Sequence, residues 1–369
     1  MQAGGTVTDA AGPATRAAPE PVDWKLAAQV ARRFAGRERF ATSYLGSSLE
    51  RDFAEVTAEA EALVAEFTGL HSPGRAAGTV LDRVGWVDAN VTSMQHMLRP
   101  FTDRVAERVA RSPVAPIGRR VAGAEMGALL GYLAQRVLGQ YDLLVPDDPA
   151  ETGAIPTDAV YYVGPNVLGL EKRFAFRPRD FRLWIALHEL THRAQFTGVP
   201  WLRGYFLSLV ERSLGMVDPD PRRLVQALTR AADELRRGRN PLDEGGLVGL
   251  LATPEQRGLL SQVQALMSLL EGHGNVVMNH LGRRHVAGQE RMARVLQARR
   301  EARGLSAQLQ KLLGLEMKMR QYEVGEAFVE AVEREAGLRA IDAAWRAPEA
   351  LPTMEELSEP SRWLARVGA

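Results

Sequence analysis

The chain has 369 residues, 46% apolar and 25% charged, with a formal net charge of +1. That is the composition of a globular protein able to bury a large core, with no global field directed at nucleic acid or membrane. Cysteine is absent, which excludes disulfides, thiolate zinc sites, iron–sulfur clusters and a cysteine nucleophile.

Residues 1–22 (MQAGGTVTDAAGPATRAAPEPV) read as a disordered Ala/Gly/Pro tail. They lack the apolar stretch of a signal peptide. No apolar run approaches the roughly 18–20 residues that span a membrane, so a cytoplasmic location is expected, with no membrane partner. A single domain is expected over 23–346, with an N-terminal helical part over 23–145 and a catalytic part over 150–346. Residues 347–369 follow as a C-terminal extension. Helices are predicted near 24–35, 48–68, 78–110 and 118–138, separated by breaks such as His71-Ser72-Pro73-Gly74. Asp147-Asp148-Pro149 begins a loop. Ala159–Val163 (AVYYV) is the best strand signal, ended by Gly164-Pro165-Asn166, and Phe174-Ala175-Phe176 is a second strand candidate. The fold class is mainly α (α+β), with a small sheet preceding the segment described next.

Within FRLWIALHELTHRAQF (181–196), His188 and His192 lie four residues apart, which stacks two imidazoles on one helix face. Glu189, beside the first, reaches a water on a metal held between them. This is the His-Glu-x-x-His arrangement of zinc peptidases. Asp180 is the expected N-cap. Leu183, Leu187, Leu190 and Ala194 form a buried stripe, Trp184, His188, Thr191, His192 and Gln195 a neighbouring face, and Gly198 and Pro200 end the helix.

Further helices are predicted near 201–214, 220–237, 254–281, 287–312 and 315–336. Loops fall at 217–221 and 240–246. Thr253-Pro254-Glu255-Gln256 reads as a capping box with Pro at the first helical position. Lysine occurs only at 25, 172, 311 and 318. The arginine-rich stretch 291–303 reads as a solvated helix face, so nucleic-acid binding is not expected.

A catalytic zinc site needs a third protein ligand. Without cysteine it must be a carboxylate or histidine. Glu211 follows His192 after 18 intervening residues, in LSLVERSL. Glu271, in MSLLEGHGNVVMNH (267–280), is favoured over it. Glu271 lies in an apolar stretch of a long helix, where a carboxylate is costly without a partner. Gly272 and Gly274 beside it suggest close approach by another backbone or by a ligand. Asn275, one turn on, is placed to bond a zinc-binding imidazole from behind. His273 is a weaker candidate, pointing away from Glu271 around the helix.

The strings YVGPNVLGLEKRF (162–174), LHELTHRAQFTGVPWLRGY (187–205), LLEGHGNVVMNHLG (269–282), KMRQYEVGEAFV (318–329) and GWVDANV (85–91) together resemble the zincin-like metallopeptidase type 2 family. That family was first catalogued as a domain of unknown function, and its members are often labelled as associated with deazaflavin-coenzyme biosynthesis. The resemblance covers most of residues 24–345. It implies a mainly helical zincin-like fold and a zinc hydrolase, and no phosphate cradle here supports coenzyme binding.

On this reading His188, His192 and Glu271 hold Zn2+, and a metal-activated water attacks a peptide or amide bond with Glu189 as general base. Tyr322 and Arg320 are candidate oxyanion donors, although for Tyr322 a packed helix aromatic with a satisfied hydroxyl is the favoured alternative. Tyr161 to Asn166 reads as a core strand in preference to an edge strand above the cleft; on the edge alternative, Tyr162 and Asn166 pair with an extended substrate. His280 and His285 remain ambiguous. A di-iron helical bundle needs a second Glu-x-x-His, which the sequence lacks. A non-catalytic zinc-binding scaffold or regulator is the other alternative, although such a protein has no need of Glu189.

Overall fold

The computed structural model describes residues 20–36, 44–110, 115–143, 158–215, 253–301 and 316–369. Side chains at 44–47, 100, 107–110, 299–301 and 316–323 fall outside that description. The expected helix over 220–237 and the loops at 147–149, 217–221 and 240–246 also lie outside the described residues.

Helix α1 (Trp24–Ala35) starts where the Asp23 carboxylate accepts a bond from the Leu26 amide at 3.0 Å. Trp24, Ala27, Ala31 and Ala35 then bury one stripe of it. α2 (Tyr44–Thr68) leads to strand β1 (Ala77–Leu81), and α3 (Arg83–Ala110) and α4 (Ala115–Ala134) to strand β2 (Gly139–Tyr141). Strand β3 (Ala159–Val163) runs directly into α5 (Gly164–Phe174). The motif helix α6 (Pro178–Gly198) is followed by α7 (Leu202–Gly215), α8 (Pro254–His285), α9 (Gln289–Glu301) and α10 (Glu316–Ala336). Two 3-10 segments (Leu338–Trp345, Pro348–Ala350) and short helices α11 (Met354–Ser358) and α12 (Pro360–Val367) complete the chain.

The mainly α fold with a small sheet ahead of the motif helix is therefore observed. The sheet has the order β1-β3-β2, with β1 parallel and β2 antiparallel to β3. Two expectations are corrected here. The helix expected from 78 begins only at Arg83, because Gly78–Leu81 pairs with Val160–Val163. The strand expected at 174–176 is instead the end of α5, where Ala175 takes a left-handed φ of 49° and caps the helix by donating to the Glu171 carbonyl.

α8 opens with the expected capping box, Thr253 and Gln256 bonding each other's backbone amides at 2.7 and 3.2 Å. α6 opens differently from expectation: Arg177 is the N-cap with no side-chain bond, Pro178 occupies the first turn, and Asp180 sits inside that turn. There Asp180 favours the helix electrostatically rather than as a cap.

Two packed cores meet along α6. The first joins α2, β3 and α6, with Phe53 stacked on Tyr162 at 3.9 Å between ring centroids. The second joins the end of α6 to α8, α10 and the C-terminal helices, with Phe328 against Trp363. Residues 347–369 are docked on this second core: Leu357, Trp363 and Leu364 are buried, and Trp363 donates to the Ala350 carbonyl at 2.8 Å. The α8–α10 crossing is close because Gly272 faces Gly325, and a Cβ on either would overlap the other helix's backbone. Among the described residues no helix is long and apolar enough to cross a membrane.

Candidate metal centre

The leucine stripe of α6 is buried as its spacing predicts, with Leu183 and Leu187 wholly enclosed. Burying that stripe sets the rotation of the helix and turns His188 and His192 toward α8. Their Nε2 atoms lie 3.2 Å apart. From α8, Glu271 brings Oε2 to 3.7 Å from His188 Nε2 and 3.6 Å from His192 Nε2. A tetrahedral zinc with bonds of about 2.0–2.1 Å requires ligand atoms roughly 3.3–3.4 Å apart. Three donors converging at 3.2–3.7 Å therefore fit one small cation. The donor set, two imidazoles and one carboxylate, is that of an open zinc site rather than a closed structural one.

Glu211 is exposed on α7 and does not join this group. The two glycines beside Glu271 divide the roles expected of them. Gly272 admits the backbone of α10, and Gly274 admits the ligand rings, since its Cβ would lie 3.3 Å from His192 Cε1 and 3.6 Å from His188 Cε1.

Glu189 is buried next to the group. Its Oε2 accepts the Tyr141 amide at 3.1 Å. That donor belongs to β2, the sheet edge beside the site. A Cβ at Gly139 would lie 2.7 Å from Glu189 Cγ and 2.8 Å from Oε1, so any side chain there would displace the carboxylate. Burial pushes the Glu189 carboxyl up to about 7, opposed by His192 and the Tyr141 amide and reinforced by Glu271. Burial pulls the His192 imidazole down, but Glu271, Glu189 and Gln195 outweigh it and raise it to about 9. The pair of carboxylates thus favours positive charge where the ligand atoms meet.

Gln195, one turn beyond His192, faces the same network. Its Oε1 lies 2.9 Å from His192 Nδ1, and its Nε2 lies 3.0 Å from the Leu270 carbonyl and 2.9 Å from His273 Nδ1. Asn275, expected behind an imidazole, instead donates to Glu326 Oε2 at 3.4 Å. Its angle around α8 carries it toward α10, so Gln195 takes the position proposed for it. The sequence signal for Gln195 was its i+3 spacing from His192 on one helix face.

The substrate-facing roles expected of Tyr162 and Asn166 are corrected. β3 is the central strand, and Tyr162 is fully buried with its hydroxyl 2.9 Å from Thr57 Oγ1. Asn166 staples the fold, donating to the Ala134 and Val137 carbonyls and accepting from Arg83 Nε at 2.8 Å. The edge near the site is β2, whose three residues carry too little pattern to be read as a strand. His273 is not a ligand. His280 pairs with Glu333 at 3.0 Å, and His285 is exposed at the end of α8. The Tyr322 and Arg320 side chains lie outside the described residues.

A His-His-Glu group formed between the motif helix and a second helix, with a buried glutamate beside it and a small sheet alongside, defines a zincin-type metal-site protein. The model of the zincin-like metallopeptidase family matches residues 22–364, and the chain belongs to that family. A crystal structure described as a proposed hydrolase with a novel fold, from Chloroflexus aurantiacus, is 30% identical, covers 94% of this chain and 99% of its own, and superposes with a TM-score of 0.67. No curated protein matches the chain significantly.

Proposed function

We propose that this chain is a zinc-dependent hydrolase of peptide or amide bonds, with Glu189 as general base. The observation that carries this reading is the placement of Glu189. Three ligands suffice to hold zinc, yet here a second acidic side chain is buried beside them, oriented by the Tyr141 amide and given clearance by Gly139.

His188, His192 and Glu271 would hold zinc, which supplies Lewis acidity and acidifies water at this position when bound. Glu189 accepts the proton of the attacking water at its carboxylate and delivers it to the leaving nitrogen. The Tyr141 amide keeps Oε2 occupied, so proton transfer falls to Oε1, on the Gly139 side. Alternation along an antiparallel pair turns the Gly139 amide and carbonyl away from β3. Those two groups can pair with an extended substrate backbone, which would bring a scissile bond alongside Glu189.

The test is turnover of a broad peptide library by zinc-loaded protein. Cleavage is expected, and Glu189→Gln should lower it by roughly 10²–10⁴-fold while one zinc per chain is retained. If the zinc-loaded wild type cleaves nothing where a control zincin is active, the chain is a zinc-binding scaffold and this proposal fails.

A further inference from the structure

We infer that Gln195 is a positioning residue that fixes which nitrogen of His192 faces the metal and ties that ring to the turn carrying Glu271. The inference rests on the metal-site reading above, not on the hydrolysis.

The Leu270 carbonyl has no hydrogen, so the Gln195 atom 3.0 Å from it must be the amide nitrogen. This settles the orientation of an amide whose oxygen and nitrogen are otherwise interchangeable. Oε1 is then the atom facing His192 Nδ1 at 2.9 Å, and being an acceptor it requires a proton on Nδ1. With the proton on Nδ1, the Nε2 lone pair is left to face His188 and Glu271. The second amide hydrogen points to His273 Nδ1 at 2.9 Å, which must accept it. Trp345 packs edge-on against the His273 ring, with centroids 5.2 Å apart, and holds that acceptor in place.

Each polar atom of the Gln195 amide is thereby engaged, and the side chain is wholly buried. No other side-chain amide offers one acceptor and two donors in this geometry: asparagine is a methylene too short, and glutamate would turn an oxygen onto the Leu270 carbonyl. The connection also joins the two halves of the site. Leu270 immediately precedes Glu271, so one amide bridges the His192 ring on α6 and the backbone next to the third ligand on α8. Partners of this kind behind a ligating imidazole typically change metal affinity by about 10–100-fold.

The experiment measures zinc affinity by chelator competition, together with nitrogen-15 NMR of the histidine rings in the full-length zinc-loaded protein. In the wild type the His192 ring should carry its proton on Nδ1, with Nε2 showing the shift of a coordinated nitrogen. Gln195→Met, similar in shape but unable to bond, should weaken zinc roughly 10–100-fold and speed exchange of the Nδ1 proton, while circular dichroism stays unchanged. Finding Nδ1 coordinated in the wild type would overturn the inference without need of a variant. So would Gln195→Met binding zinc like wild type. A wild type that takes up no zinc would overturn both this inference and the proposed function; zinc uptake without peptide cleavage would overturn only the latter.

Discussion

The motif helix carries two kinds of buried charge. Toward the first core, Arg193 is fully enclosed and bonded to both oxygens of Asp158, to Glu61 and to the Pro73 carbonyl. Nearer the start of the same helix, Arg182 grips Glu171 at 2.8 and 2.9 Å and pairs with Asp52. Toward α8, two carboxylates, Glu189 and Glu271, face imidazoles instead of guanidiniums. Arginine cannot lose its proton, so the positive charge that the first region's carboxylates face is permanent. The second relies on histidines, whose charge is conditional. The same helix thus uses guanidiniums where charge holds structure and imidazoles where the donor set fits a metal ion.

This contrast can be broken from the structural side first. Arg193→Met leaves Asp158 and Glu61 without their buried partner, and removing one member of such a group typically costs about 3–5 kcal/mol. Thermal unfolding should show that loss equally with and without zinc. Glu271→Gln acts on the other region. Its metal-free protein should unfold close to the wild-type temperature. What should disappear is the gain conferred by zinc, about 2.7 kcal/mol at a hundredfold excess over the dissociation constant. If Arg193→Met altered the zinc-dependent increment and Glu271→Gln did not, the two regions would have exchanged roles.

The same contrast explains what the sequence disclosed. His188, Glu189, His192 and Glu271 were legible because helical spacing and the cost of a carboxylate in an apolar stretch are local properties. The helices with strong periodicity and caps, α1 and α8, were read nearly to their ends. β1 and β2 were not, because their pairing is non-local: Gly139-Gln140-Tyr141 has no strand character of its own and exists as an edge because β3 lies beside it. The core strand favoured at Tyr161 to Asn166 is observed, but the substrate role offered for Tyr162 fails for the same reason, since the AVYYV pattern by itself cannot exclude an edge. Asn275 failed on angle, because a side chain one turn from a ligand need not reach behind its partner's ring.

A sharper probe of how the two helices are held at ligand distance is the α8–α10 crossing. Gly272→Ala places a methyl against the Gly325 backbone, which must move, at a cost of about 1–3 kcal/mol. Because residue 272 follows Glu271 directly, zinc affinity should fall together with stability. That distinguishes it from Arg193→Met, which should lower stability alone. Calorimetry and chelator competition on the two variants give the comparison.

The smallest expected effect lies farthest from the metal centre. Glu356 closes a capping box with Thr353 and receives Arg366 Nε at 2.6 Å and Nη2 at 2.9 Å. The Arg366 hydrogen bonds hold its carboxyl below the usual 4.5, against a smaller opposing effect of burial. A carboxylate with a lowered folded-state pKa binds protons less readily folded than unfolded. Its contribution is therefore complete above pH 4.5 and is lost as pH falls through the lower folded value. Glu356→Gln keeps the capping box and should cost up to about 1 kcal/mol at neutral pH, the scale of a partly exposed ion pair. The difference from wild type should shrink below pH 4.5, as the wild-type carboxylate itself becomes protonated. Urea unfolding of both proteins at pH 7 and at pH 3 reads this directly. A gap that stayed constant across that range would show that Glu356 acts through its shape and not its charge, and the docking of α11 and α12 would then owe nothing to the Arg366 pair.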